Sequence, residues 1–329
     1  MTPLPAPYGE WFGPDAFDAT YGYDPAALRA VGAPEEPPGF AEFWEDLYAR
    51  AAAVDPDPRV KPAGRLDGLD LFDIEFTSLG GVRLGGWLTL PERGVDRAVV
   101  IGHGYGGRSE PEPELVPDRC AAIFPVLRGL PERSAMDPIP LRGVHHVLHG
   151  IESRATYVHG LCAADVWCAA SALRAVLPDA SLPLGYVGGS FGGGIGALAL
   201  PWDGRFAAGV LAVPSFGNHD LRLTMPCTGS GESVRLHVAE HPEAREVLRF
   251  FDAAVAARRI RIPMLAAPAL WDPAVPPPGQ FAVANALAGP TEFVVRSAGH
   301  SRYPREAEDR ERYVAEVRRF LARRLRATA

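Results

Sequence analysis

The sequence predicts an α/β fold: a mostly parallel, doubly wound sheet with an antiparallel hairpin and an N-terminal arm. Three observations carry this reading. Short, uninterrupted apolar runs alternate with helix-length segments, the pattern of strands buried on both faces. Ahead of them, Phe72, Ile74 and Phe76 alternate with Asp73, Glu75 and Thr77, and Gly80-Gly81 turns this strand into a second one through Leu84, Trp87, Leu88 and Leu90. Finally, two glycine-rich loops, at 102–107 and 188–193, each follow an apolar run directly.

The elements follow in chain order. Residues 1–39 are rich in Pro, Gly and aromatics and read as an irregular arm laid over a core, which would cover Trp11, Phe12, Phe17, Tyr21 and Tyr23. Residues 40–329 read as a single domain. Its first helix is marked by Phe40, Phe43, Trp44, Leu47 and Ala51 at helical spacing. After the hairpin come apolar strands at Ala98–Ile101 and 121–127, then a stretch without periodicity at 129–152. A helix is expected over 154–177, with Tyr157, Leu161, Ala164, Val166, Trp167 and Leu173 on its apolar faces. Strands follow at 184–187, 206–213, 264–270 and 292–295, and helices after the 188–193 turn, at 241–258 and 279–288, and from about 305. Residues 214–240 read as irregular.

Composition narrows the function classes. The 329 residues carry 33 basic and 40 acidic side chains, a net charge of −7, and the arginines are scattered, which argues against a nucleic-acid platform. No run approaches the roughly 18–20 apolar residues of a membrane span. The opening residues lack the basic and apolar regions of a secretory signal, so a cytoplasmic location is expected. The four cysteines, Cys120, Cys162, Cys168 and Cys227, show no C-x-x-C spacing and read as free thiols. His145, His146 and His149 have no accompanying carboxylate or cysteine pattern, so neither a metal nor another cofactor is expected.

The chemistry concentrates in Gly188-Gly189-Ser190-Phe191-Gly192-Gly193, which matches G-x-S-x-G between a strand and a helix. A serine on so tight a turn exposes its oxygen, and the N–H of Phe191 points where an oxyanion would develop. A serine nucleophile needs a base and an orienting acid, in the order Ser, acid, His for this strand–turn–helix arrangement. Asp272 follows an apolar strand, and His300 follows the next one within Ser297-Ala298-Gly299-His300-Ser301. Asp203, Asp220 and Asp252 also lie between Ser190 and His300; Asp272 is preferred because only one helix and one strand separate it from His300. The loop Gly102-His103-Gly104-Tyr105-Gly106 supplies the second oxyanion donor, the N–H of Tyr105. The same loop spells G-x-G-x-x-G, but Arg108-Ser109-Glu110-Pro111-Glu112-Pro113-Glu114 is a poor helix start and acidic, which disfavours a dinucleotide.

With these residues in view, the chain resembles the acetyl xylan esterase and cephalosporin-C deacetylase family of α/β-hydrolases. The resemblance runs from about Phe40 onward. It rests on Phe40-Ala41-Glu42-Phe43-Trp44, His103-Gly104-Tyr105-Gly106, Arg128-Gly129, the Ser190 turn, Asp272-Pro273-Ala274-Val275-Pro276-Pro277 and Asn285-Ala286-Leu287-Ala288-Gly289-Pro290. Three positions depart from the family pattern: Phe191 stands where Gln is usual, Ser301 where Glu is usual, and Leu130-Pro131 follows Arg128-Gly129 in place of Gln-Gly. Being beside nucleophile and base, Phe191 and Ser301 are expected to shape the pocket. The resemblance implies a metal-free, intracellular homo-oligomer, commonly a hexamer, that deacetylates sugars and related small esters. A peptidase or lactone hydrolase on the same triad, and a binding protein on a hydrolase scaffold, stand as the alternatives. Neither nucleic acid nor a membrane is an expected partner.

Overall fold

In the computed structural model, residues 5–92 and 94–326 are described. Strands β1 (Arg59–Leu66), β2 (Leu69–Ser78) and β3 (Val82–Pro91) form an antiparallel meander. β3 then pairs antiparallel with β5 (Cys120–Pro125), and from β5 onward the pairing is parallel through β4 (Arg97–Ile101), β6 (Leu184–Gly189), β7 (Phe206–Ala212), β8 (Met264–Ala267) and β9 (Thr291–Phe293). The nine strands make one sheet in the order β1-β2-β3-β5-β4-β6-β7-β8-β9.

The strands buried on both faces are the ones the sequence predicts: every residue of β5 and β8 is buried, as are four of the five in β4. β8 stops at Ala267, short of the expected Leu270, because Pro268 has no N–H for the ladder; Ala269 then resumes a bridge to Arg296. β1 has no counterpart in the sequence reading. It is exposed nearly throughout, carries Lys61, Pro62 and Gly64, and its register slips between Pro62 and Gly64, so no apolar alternation marks it.

Helices cover both faces. The arm contains α1 (Tyr8–Phe12) and α2 (Pro25–Ala30), and α3 (Phe40–Ala52) follows. Beyond β5 come α4 (Gly143–His146) and α5 (Val158–Val176), then α6 (Phe191–Ala199) after β6. The segment expected to be irregular after β7 holds α7 (His219–Arg222) and α8 (Ser230–Glu240). The expected continuous helix over 241–258 is instead α9 (Ala244–Leu248), a 3₁₀ turn and α10 (Ala253–Ala257). Buried Asp252 makes this break by accepting hydrogen bonds from the N–H groups of Ala254 and Val255 as the cap of α10. α11 (Pro277–Ala286) and α12 (Glu306–Arg324) complete the set. None of the helices among the described residues is long and apolar enough to cross a membrane.

The arm does cover aromatic surface, though not all of it. Phe12 stacks on Trp271 at 4.7 Å between ring centres, and Trp11 on Tyr303 at 5.4 Å. The Tyr8 hydroxyl donates to the Ser297 carbonyl at 3.0 Å. Phe17, expected under cover, is 52% exposed. The arm therefore braces the two loops after β8 and β9, where Asp272 and His300 stand.

Candidate active site

β6 runs straight into α6 through Ser190, whose backbone is held at φ 56°, ψ −118°. That conformation disfavours a residue with a Cβ and stands the side chain clear of both elements. The turn works only because its flanks are glycine. A Cβ on Gly188 would run into the Gly192 carbonyl, and one on Gly192 would sit 2.8 Å from the His103 carbonyl oxygen. The Gly192 N–H instead donates to that oxygen at 2.9 Å, tying the 188–193 turn to the 102–107 loop.

His300 lies across from this serine. Its Nε2 is 2.8 Å from Ser190 Oγ and its Nδ1 is 2.7 Å from Asp272 Oδ2. The carboxylate can only accept, so Nδ1 carries the proton and Nε2 presents its lone pair to the serine hydroxyl. Gly299 allows the approach, because a Cβ there would strike Asp272 Oδ2. Burial pulls the His300 pKa down, but the hydrogen bond and charge of Asp272 outweigh it and leave it above the ordinary histidine value. Asp272 is fully buried and held from three sides: the Ala274 and Val275 N–H groups donate to Oδ1, and the Gln280 amide donates to Oδ2, each at 2.9 Å.

The other aspartates between Ser190 and His300 are engaged elsewhere. Asp203 pairs with Arg205, Asp252 caps α10, and Asp220 pairs with Arg245 and Arg249.

The 102–107 loop is braced from beneath. Arg108 turns inward and donates to the carbonyls of Ile101 (2.8 Å) and Gly102 (3.0 Å), so it offers no phosphate site. His103 accepts from the Leu127 N–H at 3.0 Å and donates from Nδ1 to the Gly104 carbonyl at 2.8 Å; burial, aided by the charge of Arg108, pushes its pKa down to about 3. Among the described residues, the backbone N–H groups of Tyr105 and Phe191 donate to no protein atom. Both belong to segments that border Ser190, one before and one after the hydrogen bond between Gly192 and His103.

A cavity of about 280 Å³ opens in front of Ser190 and His300, walled by Tyr105, Val147, Tyr157, His159, Phe216 and Val275 among others. Phe191 does not line it. The ring is fully buried and stacks on Tyr105 at 4.1 Å, so it acts as packing beneath the wall, contrary to its expected part in shaping the pocket. Ser301 also lies outside this cavity. Of the three neighbouring histidines, His145 is exposed and His146 is buried under Tyr105, so they do not converge on one point. Among the described residues no cluster of three or more His, Cys, Asp or Glu has a metal-binding arrangement.

Sequence reasoning missed Gln280 and His159, and it named Arg108, His146 and Tyr157 without giving them these contacts. Gln280 alone left a signal: an amide amid apolar residues of α11, eight residues after the acid, with its Oε1 accepting from the Ala269 N–H at 2.8 Å.

The parallel sheet, the serine on a strained strand-to-helix turn and the histidine–carboxylate pair on the two following loops define the chain as an α/β-hydrolase. Its sequence matches the acetyl xylan esterase family over residues 29–316. The chain belongs to that family and is a carboxylic ester hydrolase. Its fold is similar to that of an acetyl xylan esterase from Paenibacillus sp. (22% identity, TM-score 0.78, 89% of this chain and 99% of that one). Acetyl xylan esterase 1 from Thermoanaerobacterium sp. is likewise similar (18%, 0.74, 92% and 99%). An acylaminoacyl peptidase from Pyrococcus horikoshii shares the fold over 80% of this chain but only 43% of its own length (17%, 0.64).

Proposed function

We propose that the protein hydrolyses short-chain acyl esters, acetyl esters first among them, of sugars or related small molecules through a Ser190–His300–Asp272 triad. The observation that carries this reading is the unbroken hydrogen-bond chain from Ser190 Oγ through His300 to Asp272 at the strand-to-helix turn. His300 Nε2 takes the hydroxyl proton as Ser190 Oγ adds to the acyl carbonyl carbon. The backbone N–H groups of Tyr105 and Phe191 receive the oxyanion, with the N-terminus of α6 adding its favourable potential. Collapse expels the alcohol, which leaves with the proton from His300. Water, deprotonated by the same imidazole, then releases the acid from the acyl-enzyme. The acetyl preference is supported by the description of the matched family, and no step requires a metal.

The test combines covalent labelling with turnover. A fluorophosphonate should label the protein and block acetyl-ester hydrolysis, Ser190→Ala should abolish both, and EDTA should change neither. Activity abolished by EDTA and restored by zinc overturns the assignment. A panel of acetyl, butyryl and longer esters beside peptide amides fixes the bond and the acyl length; faster cleavage of the amides overturns the esterase reading.

A further inference from the structure

A second hydrogen-bonded chain reaches the cavity wall through Tyr105 and His159, and counting its protons leaves one end unmet. His146 Nε2 lies 2.9 Å from the Arg128 carbonyl oxygen, which can only accept, so Nε2 carries the proton and Nδ1 is bare. Tyr105 Oη is 3.3 Å from that Nδ1 and 2.9 Å from His159 Nε2. The phenol has one proton to give. If it went to His159, two lone pairs would face each other at His146. Given to His146, every contact holds one proton, because His159 Nε2 then donates to the phenol oxygen. His159 Nδ1 is thereby left as a bare acceptor.

That nitrogen is buried and has no hydrogen-bond partner among the described residues, and the same is true of the hydroxyl of Tyr157, whose ring lies 4.5 Å from that of His159. The two side chains are 0% and 1% exposed, and both line the cavity. Burial holds His159 neutral, with its pKa well below the ordinary value, so it cannot resolve the mismatch by taking up a proton. Phe216 covers its other side, with ring centres 4.1 Å apart. Buried polar atoms left unpaired are costly. Both residues line the cavity, so a group bound there that donates to His159 Nδ1 and accepts from Tyr157 Oη would satisfy them. A hydroxyl group can both donate and accept; a carboxylate or a ketone cannot donate, and an ammonium cannot accept.

We infer that His159 and Tyr157 form a hydroxyl-reading subsite, so that the preferred ester carries a free hydroxyl group near the scissile bond. This rests on the hydrolase reading above and names the specificity of that site.

The experiment compares kcat/KM for two esters that differ only in hydroxylation, glycerol monoacetate and propyl acetate, in the wild type, Tyr157→Phe and His159→Phe. His159 also touches Tyr105, so the ratio of the two esters is the readout rather than either rate alone. The ratio should fall by about tenfold in each variant, the scale of one lost hydrogen bond to a buried group. Tyr157→Phe removes a single unpartnered oxygen and should keep its melting temperature. Binding of the same esters to Ser190→Ala protein, with and without Tyr157→Phe, is followed by ligand-observed NMR and does not depend on turnover. An unchanged ratio in both variants, or equal binding of the two esters with and without the Tyr157 hydroxyl, overturns the subsite. Failure of the hydrolase reading looks different: the wild type then takes no fluorophosphonate label and hydrolyses neither ester, and the binding arm still decides the subsite.

Discussion

Two histidine chains reach one cavity, and they end differently. On one wall, Ser190–His300 ends on the Asp272 carboxylate, and the His300 pKa is raised. On the other, His159–Tyr105–His146 ends on the Arg128 carbonyl, and burial pushes the His146 pKa down to about 4. The residue types are nearly the same. What differs is the terminal acceptor: a charged one stabilises an imidazolium, while a neutral carbonyl does not repay the loss of water. One chain can thus hold a protonated imidazole, while the other stays neutral. Arg128 itself is anchored at the far end of the second wall by buried Asp165, with Nε 3.0 Å from a carboxylate oxygen.

The largest effect should come from neutralising the first terminus. Asp272→Asn should fold normally yet lower kcat by about 10⁴, the scale of the loss when a serine protease's triad aspartate becomes asparagine and the imidazole is left in the wrong tautomer. Wild-type activity should rise with pH through the His300 titration, with a midpoint above the ordinary value near 6.5, since only neutral imidazole accepts the serine proton. In Asp272→Asn the residual activity should titrate at lower pH. Asp220→Asn, on the surface pairs with Arg245 and Arg249, should stay within about tenfold of the parent. Steady-state kinetics on both variants decide it, and the reverse ranking would move the acid to Asp220.

The second wall, together with His103 beneath the 102–107 loop, should appear in stability rather than rate. Unfolded histidines titrate near 6.5, whereas His103 and His146 are held down to about 3 and about 4, and His159 well below the ordinary value. Below pH 6.5 the unfolded chain therefore binds protons that the folded chain refuses. Stability should fall with pH by up to roughly 1.4 kcal/mol per unit for each such histidine, or roughly 2–3 kcal/mol for His103 and His146 between pH 5.5 and 4.5, with His159 acting in the same direction. His300 has the opposite sign: its contribution is present below 6.5 and is lost as pH rises through its raised pKa. Urea unfolding across this range should show the slope, and His146→Leu should reduce it by about one proton. An unchanged slope in that variant would mean that His146 is protonated in the folded protein.

The smallest effect should fall where the two walls meet. The Phe191 amide belongs to the first, and its ring packs on Tyr105 in the second. Phe191→Gln should therefore keep kcat/KM within about tenfold, a barrier change of about 1.4 kcal/mol or less, while lowering the melting temperature. A thousandfold loss with the fold intact would give the ring a catalytic role.

The same contrast governs what is legible in the sequence. Ser190 stands directly after its strand, and Asp272 and His300 lie in the loops after β8 and β9, each at a turn marked by glycine or proline, so chain order and strand spacing bring them to one sheet edge. The second wall leaves no such mark. Tyr105 and His159 are 54 residues apart, and a histidine near the start of an apolar helix looks the same whether or not its nitrogens are paired. β1 is illegible because an exposed strand has no core to impose alternation. Phe17 defeats the reading for the converse reason: an aromatic residue in a loop carries no periodicity to say which side it faces. The break at Asp252 is hidden because Ala253–Ala257 is as helical in composition as what precedes it.

The exposed edge strand has a practical consequence. Lys61 is the sole lysine of the chain and lies on β1, at the outer border of the sheet. Five strand spacings, roughly 24 Å, separate β1 from the strand that ends at Ser190. Amine-reactive chemistry on side chains is thereby confined to a single address remote from the cavity. A fluorophore, a biotin or a solid support coupled through Lys61 would hold every molecule in the same orientation with its cavity open. Lys61→Arg would remove the handle while keeping the charge that discourages another strand from pairing with this edge.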